Sequence, residues 1–207
     1  MDNNKGVLIV ISGPSGAGKG TICKALLEKH KDIHISVSAT TRQPRQGEVH
    51  GVNYYFIDKE EFLTRVENDD FLECAEVYGN YYGTPKSNVQ ELLDSGKDVI
   101  LEIDIQGALK VKENTEEGVF IFILPPSMEE LKQRIINRGS ETPESLMRRF
   151  NSAYQEINYI SKYNYAVVND TVENAVKKIE NILVAEKCRV DRIQGTILNL
   201  EEGLNHE

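Results

Sequence analysis

Residues 7–12 (VLIVIS) form a continuous apolar run, followed at once by Gly13-Pro14-Ser15-Gly16-Ala17-Gly18-Lys19. Ile22, Ala25 and Leu26 then recur at helical spacing over residues 19–30. No other feature constrains the chain so tightly. Such a run suits a strand buried on both faces of a parallel sheet. The pattern G-x-x-x-x-G-K between that strand and a helix is a phosphate cradle. Its glycines let main-chain N–H groups turn inward around phosphate oxygens. The helix N-terminus adds partial positive charge, and the lysine reaches the β- and γ-phosphates. A plain glycine-rich turn does not account for the lysine in that strand-to-helix context. Gly13, Pro14, Ser15, Gly16, Ala17, Gly18, Lys19, Gly20 and Thr21 are therefore the candidate ligands of a nucleoside triphosphate.

One position departs from the usual pattern. The hydroxyl residue that ordinarily follows the lysine is Gly20, with Thr21 one place later. No side chain at position 20 can ligate a metal. Mg²⁺ is expected as the partner of ATP, held through Thr21, water or nucleotide oxygens, and no protein metal ligand is assigned. The GKGT ending resembles the nucleoside monophosphate kinases more than the GTPases.

The rest of the chain alternates in the same way. Residues 33–37 read as a strand, which completes a strand–loop–helix–strand opening. Residues 42–57 (RQPRQGEVHGVNYYFI) change character, with Gly, Pro and Arg followed by clustered aromatics. Asp58 caps a predicted helix to about Glu67, FLECAEV reads as a strand, and YGNYYGT as a turn or hairpin around Gly79-Asn80. Pro85 is placed in the first turn of a helix ending near Gly96. The buried-strand pattern returns at residues 98–104 (DVILEID) and 119–124 (VFIFIL), with a helix between them. Ser127 and Glu130 form a capping box for a helix that stops at Gly139. Another helix starts at Thr142-Pro143. A last strand spans 165–168, and residues 171–198 read as one long helix.

Composition narrows the partners. The 207 residues carry a formal net charge of −9, which argues against a nucleic-acid coat or an anionic-membrane binder, since either carries a basic stripe. The arginines are nonetheless clustered, with Arg42 near Arg45 and Arg134, Arg138, Arg148 and Arg149 close together. Local basic clusters in an acidic chain point to small anionic ligands in a cleft. Cys23, Cys74 and Cys188 are odd in number and widely spaced, and are expected as buried or half-buried reduced thiols. The polar start MDNNKG lacks a signal-peptide core and no apolar stretch is long enough to span a bilayer, so a cytoplasmic location is expected. His30, His34, His50 and His206 show no ligand spacing.

Arg42 and Arg45 bracket a stiffening Pro44, and guanidinium groups so placed bind phosphate through paired, charge-assisted hydrogen bonds. Tyr54 and Tyr82 can add phenolic hydroxyls. Taken alone, these residues fit a solvated arginine loop and core tyrosines equally well. Their combination does not. GPSGAGKGT, then SVSATTRQPRQGEVHGVNYYF, ECAEVYGNYYGTP and LEIDIQG, closely resemble the motif series of the guanylate kinases, in order and from the first strand to Val168-Asn169-Asp170.

The resemblance implies an α/β fold: a P-loop kinase core with a parallel sheet flanked by helices, an inserted mixed α/β subdomain that binds the nucleoside monophosphate, and a helical lid. The core would comprise 1–35, 97–125 and 164–207, the GMP-binding insert about 36–90, and the lid about 127–160. It implies phosphorylation of GMP by ATP, giving ADP and GDP, within purine nucleotide metabolism. By the match, Arg42, Arg45, Tyr54 and Tyr82 hold the GMP phosphate, and Ser38, Glu73, Thr84 and Asp104 recognise guanine. Carboxylates suit that task, because guanine offers N1–H and the N2 amino group as adjacent donors whereas adenine offers an acceptor at N1. Glu102 fits a place near Mg²⁺ or phosphate and a structural carboxylate equally. Lys19, Arg42, Arg134, Arg138 and Arg149 match the catalytic cations, with Arg148 a less certain neighbour, and Asn169 lies with the adenosine end of ATP. Oligomeric state stays open between monomer and homodimer. Two rival readings share the fold: a kinase for another phosphorylated acceptor, and a non-catalytic peptide-binding module of the kind found in scaffold proteins. The second would predict a degraded phosphate loop, and Lys19 is present.

Overall fold

The structure, a computed structural model, describes residues 5–77, 79–115, 117–136 and 143–193, with backbone only over 143–149. Strand β1 (Leu8–Ser12) is buried along its whole length because it is the centre of a five-stranded, all-parallel sheet. Across that sheet run β2 (Ile33–Ile35), β7 (Asp98–Glu102), β1, β8 (Val119–Leu124) and β9 (Tyr165–Val168). Successive side chains of β1 point to opposite faces. Ile9 and Ile11 pack with Ile22 and Leu26 of α1 (Lys19–Lys29) and with Ile179 and Leu183 of α7 (Val172–Lys187). Leu8 and Val10 pack on the other side with Val89 and Leu93 of α3 (Lys86–Asp94) and with Ala108 and Val111 of α4 (Ile105–Asn114). Each such side chain stabilises the fold by roughly 1.5–3 kcal/mol through burial, so both faces of β1 must be apolar, as the sequence run requires.

The register of this sheet places the site. Ile11 pairs with Glu102, and the Ile103 N–H donates to the Ile11 carbonyl at 3.3 Å. The loop after Ser12 and the residues after Glu102 thus emerge side by side at the carboxyl edge, where ligands bind in open α/β sheets.

A second sheet of four strands, β3 (Ala39–Thr40), β4 (Tyr55–Phe56), β5 (Phe71–Val77) and β6 (Asn80–Pro85), runs in the spatial order β4-β3-β6-β5. Helix α2 (Lys59–Glu67) covers it. The Asp58 side chain caps α2 by accepting the Glu61 N–H at 2.8 Å, and Phe62 stacks on Phe71 with ring centroids 4.7 Å apart. Farther along, α5 (Met128–Ile136) and α6 (Pro143–Ile157) pack through Leu131, Ile135 and Ala153. The Ser127 hydroxyl accepts the Glu130 N–H at 3.1 Å, as the capping box predicts. The predicted stop at Gly139 lies outside the described residues.

Several boundaries differ from the sequence reading. The hairpin expected around Gly79-Asn80 is present, and its second arm, Asn80–Pro85, is a full strand that pairs with β5 from Val77 back to Phe71. Pro85 ends that strand and is the N-cap of α3 rather than its first helical residue. The seventh strand stops at Glu102, since the Asp104 side chain takes the Gly107 N–H at 2.8 Å and becomes the N-cap of α4. The helix expected over 171–198 ends at Lys187. Beyond it the Arg192 N–H turns back to the Arg189 carbonyl at 3.0 Å, and the Arg192 guanidinium is anchored on the Glu117 carbonyl at 2.7 Å. That tertiary anchor wins over helical continuation, and residues 194–198 lie outside the described residues. Cys23 is buried and Cys74 half-buried as expected, but Cys188, at the C-cap of α7, is exposed. No helix among the described residues is long and apolar enough to cross a membrane.

Candidate active site

The loop between β1 and α1 turns on left-handed backbone at Gly16 (φ 91°) and Gly18 (φ 95°), which glycine adopts without steric cost. Gly18 is also fixed by space, because a Cβ there would lie 2.3 Å from Asn169 Nδ2. Helix α1 opens with no side-chain cap and no acidic residue in its first turn. Its first N–H groups are therefore open to an anion. The loop is braced from behind. Asn169, buried just past β9, donates to the Ala17 carbonyl at 2.7 Å, and Arg134 of α5 reaches the same carbonyl at 3.5 Å and the Asn169 carbonyl at 3.2 Å. Glu130 steadies that guanidinium one helical turn away, at 3.1 Å from Nε.

Lys19 folds back on its own loop, donating from Nζ to the Gly13 carbonyl at 2.6 Å and to the Pro14 carbonyl at 3.4 Å. Removal from water pulls its ammonium below the ordinary lysine value, opposed by the carboxylates of Glu102, Glu156 and Asp104. Glu102, exposed at the end of β7, stands against the first turn of α1: the Cβ position of Gly20 is 3.3 Å from Glu102 Oε1. Thr21 is exposed on the same turn. Among the described residues no group of three or more His, Cys, Asp or Glu side chains is arranged for a metal. One carboxylate beside a phosphate cradle is nevertheless a donor set that suits Mg²⁺, which takes one or two carboxylates with phosphate oxygens and keeps several waters.

The second sheet carries a different arrangement. The Thr40 hydroxyl bonds the Tyr81 carbonyl at 2.9 Å and receives the Arg42 N–H at 3.2 Å, which starts the arginine loop from the end of β3. The Arg42 guanidinium lies over the rings of Tyr54 (5.5 Å) and Phe56 (5.8 Å). Tyr54 meets Tyr82 edge-on at 6.1 Å. Arg42, Tyr54 and Tyr82 are thus brought together. The Arg45 N–H donates to Glu48, the carboxylate that also holds Arg42, while the Arg45 side chain is exposed. Burial, then Tyr82 and Glu102, push the Tyr54 phenol above its usual value. Glu102 is therefore felt by Tyr54 beside the second sheet and by Lys19 of the phosphate loop alike.

Beside this group, Glu73 of β5 and Thr84 of β6 pair across the hairpin, and the Thr84 hydroxyl donates to Glu73 Oε1 at 2.7 Å. Both side chains are buried. Burial, helped by Asp104, raises the Glu73 carboxyl to about 7 against the Thr84 hydrogen bond, which lowers it. At Gly107 helix α4 meets the second sheet: a Cβ there would lie 2.8 Å from Glu73 Oε2 and 3.5 Å from Asp104 Oδ1. Only glycine lets the start of α4 come so near Glu73. Ser38, just before β3, is half-buried and accepts the Tyr55 N–H through its carbonyl at 2.9 Å. Arg138 lies outside the described residues, as do the side chains of Arg148 and Arg149.

Two acidic residues escaped the sequence reading. Glu48 binds Arg42 through both carboxylate oxygens, at 2.9 and 3.0 Å from one guanidinium nitrogen. Its only sequence signal is a lone carboxylate in a basic loop. Glu156 of α6 acts electrostatically on Lys19, although 137 positions separate the two in sequence, and no local pattern announces that proximity.

The guanylate kinase family model matches residues 5–186. A guanylate kinase of Clostridium perfringens is 78% identical over 205 residues, 99% of this chain and 95% of that one. The guanylate kinase of Clostridium acetobutylicum is 70% identical over 205 residues, 99% and 98% of the two chains. Among solved structures, the crystal structure of guanylate kinase from Anaplasma phagocytophilum superposes with a TM-score of 0.76 at 41% identity, covering 91% of this chain and 90% of that one. With its phosphate loop, its parallel core and its second sheet, the chain belongs to the guanylate kinase family.

Proposed function

We propose that the chain transfers the γ-phosphoryl group of ATP to GMP, with the donor in the β1–α1 loop and the acceptor on the second sheet. The observation that carries this reading is the meeting of Glu73 and Asp104 at Gly107, next to a cationic and phenolic cluster and across from an uncapped glycine loop. Guanine brings two adjacent donors to such carboxylates, and a base without them leaves a buried carboxylate unpaired at a cost of about 1–3 kcal/mol or more. Ser38 and Thr84 add hydroxyls to base recognition, while Arg42, Arg45, Tyr54 and Tyr82 hold the acceptor phosphate.

On the donor side, main-chain N–H groups of Gly13 to Thr21 and the Lys19 ammonium hold the ATP phosphates. Lys19 leaves the carbonyls of Gly13 and Pro14 for the phosphate oxygens. Asn169 and Arg134 fix the loop at Ala17, with Asn169 on the adenosine side. Glu102 and Thr21 are the residues that would hold Mg²⁺, which when bound neutralises charge on the phosphate oxygens. In-line phosphoryl transfer asks for alignment, charge neutralisation and exclusion of water rather than covalent help. Arg134, already at the phosphate loop, and Arg138 and Arg149 supply cations from the lid at about 127–160, whose closure brings the latter two to the transferring group. The second sheet, which runs between residues 39 and 85, supports an acceptor-binding insert of about 36–90. A coupled ADP-release assay with GMP, AMP, UMP, CMP and dTMP at equal concentration tests the reading. GMP-dependent turnover is expected to exceed that of the other four by about 10²-fold or more, and equal turnover with AMP overturns it.

A further inference from the structure

Arg42 is the centre of the acceptor cluster, and the side chain that fixes its direction is not among those assigned to either nucleotide. Glu48 closes the loop that Arg42 opens. Its two carboxylate oxygens sit 2.9 and 3.0 Å from one terminal nitrogen of Arg42. One of those oxygens also accepts the Arg45 N–H at 2.7 Å, and the Glu48 N–H returns to the Arg45 carbonyl at 3.1 Å. The other terminal nitrogen of Arg42 is held by the Gln43 carbonyl at 2.7 Å. Both charged side chains are largely withdrawn from water, at 15% and 19% exposure, unlike the ion pairs at the rim of the molecule. A guanidinium held at both terminal nitrogens, with its carbon over the rings of Tyr54 and Phe56, has few orientations left.

We infer that Glu48 is a positioning residue for the acceptor phosphate: it holds the Arg42 guanidinium on the Tyr54 and Phe56 rings so that its remaining N–H groups meet the phosphate. The inference rests on the proposed role of Arg42. Glu48 touches no reacting atom and acts through Arg42 and through the turn that carries Arg45. The mutual hydrogen bond holds the Glu48 carboxyl below its usual range and the Arg42 guanidinium above its own, so the pair stays charged throughout the working range of pH. An ion pair made in advance lowers the ordering cost at the moment of binding.

The opposite role is the one to exclude. If the carboxylate merely stood in for the acceptor phosphate, GMP would have to displace it, and removing the charge would tighten binding. Glu48→Gln, made in the full chain and measured by calorimetry with GMP and with guanosine, separates the two. We expect GMP affinity to fall about tenfold or more, guanosine affinity to stay within about twofold, and the KM for ATP to stay unchanged. Arg42→Lys is measured alongside, and Arg42→Lys with Glu48→Gln is expected to bind GMP no worse than Arg42→Lys alone by more than about threefold, since the two act as one unit. Should Glu48→Gln fail to fold, Glu48→Asp, which keeps the charge and withdraws it by one methylene, is read in the same way. Unchanged or tighter GMP binding, or an equal loss for guanosine, overturns the positioning role while Arg42→Lys still weakens GMP. If Arg42→Lys itself leaves GMP binding untouched, the assignment of Arg42 fails first and this inference falls with it.

Discussion

The Thr84 hydroxyl donates to Glu73 Oε1 at 2.7 Å inside the hairpin of the second sheet, where both side chains are buried. A buried carboxyl with one hydroxyl donor and a second carboxylate nearby is short of partners. Its raised pKa, about 7 against an ordinary 4.5, states the shortfall in protons. A ligand that brings two N–H donors removes it.

The first prediction is a pH dependence. The folded chain holds the Glu73 proton to about pH 7 while the unfolded chain releases it near 4.5, so the folded state binds more protons between those values. The contribution to stability is complete below about pH 4.5 and is lost as pH rises to about 7. By pH 8 the stability lost relative to pH 4.5 is about 3 kcal/mol. Glu73→Gln keeps a hydrogen-bonding partner for Thr84 and carries no charge. Its melting temperature in the absence of nucleotide is expected to exceed that of the parent at pH 8 and to match it at pH 4.5. On the proposed role GMP binds the ionised carboxylate, so parent affinity should rise from pH 6 to pH 8, whereas Glu73→Gln should bind about 10²-fold more weakly at pH 8 and show only the smaller rise that comes from the second ionisation of the GMP phosphate. A parent chain whose melting temperature is flat across the window would remove the premise.

The second prediction concerns Lys19. Its ammonium rests on carbonyls of its own loop, contacts the fold can spare. Lys19→Ala is expected to lower kcat by about 10²–10³-fold, as for removal of one group that stabilises transition-state charge, with the melting temperature changed by only a few degrees. Turnover within a few-fold of the parent would refute the donor half of the mechanism.

How far the sequence disclosed this site depends on the distance over which each residue acts. The phosphate loop was legible because its physics is local: strand, glycines, lysine and helix are contiguous, and each N–H that binds belongs to the motif itself. The parallel core was legible for a similar reason, since β1 and β8 announce two-sided burial in five or six residues. Boundaries failed where a side chain or a distant carbonyl decided them. Asp104 ended a strand by capping α4, and the Glu117 carbonyl ended α7 by capturing Arg192. The hairpin around Gly79-Asn80 was legible in its turn residues, but how far its second arm runs, to Pro85, was set by pairing with β5. The links from Glu48 to Arg42 and from Glu156 to Lys19 exist only once the chain has folded.

The third prediction follows from Gly18. Its φ of 95° and the 2.3 Å approach of Asn169 Nδ2 leave no place for a methyl group. Gly18→Ala must strain the backbone and push Asn169 from the Ala17 carbonyl. The expected cost in folding free energy is about 1–3 kcal/mol, read by urea unfolding, together with a raised KM for ATP and an unchanged affinity for GMP. Asn169→Ala relieves the clash, so the double variant should recover part of the stability lost in Gly18→Ala. Absence of any recovery would show that the backbone alone sets the cost.

The last prediction turns on the absence of a hydroxyl at Gly20. Where the motif usually supplies an oxygen, this chain has an exposed carboxylate, Glu102 Oε1, 3.3 Å from the Cβ position of Gly20. If Glu102 serves the metal, Glu102→Gln should raise the Mg²⁺ concentration for half-maximal activity by about tenfold, because a neutral amide is a poorer ligand for a hard cation. The effect should be overcome at high Mg²⁺, with the KM for GMP unchanged. A purely structural carboxylate predicts a different result: lower stability and a kcat deficit that no concentration of Mg²⁺ repairs. Glu102 also supports the charge on Lys19, so the variant should make that ammonium easier to deprotonate. The alkaline limb of the pH–rate profile would then move to lower pH even at saturating metal. A metal titration at two pH values therefore separates service to the cation from service to the lysine, and the position of Glu102 beside both predicts that each is found.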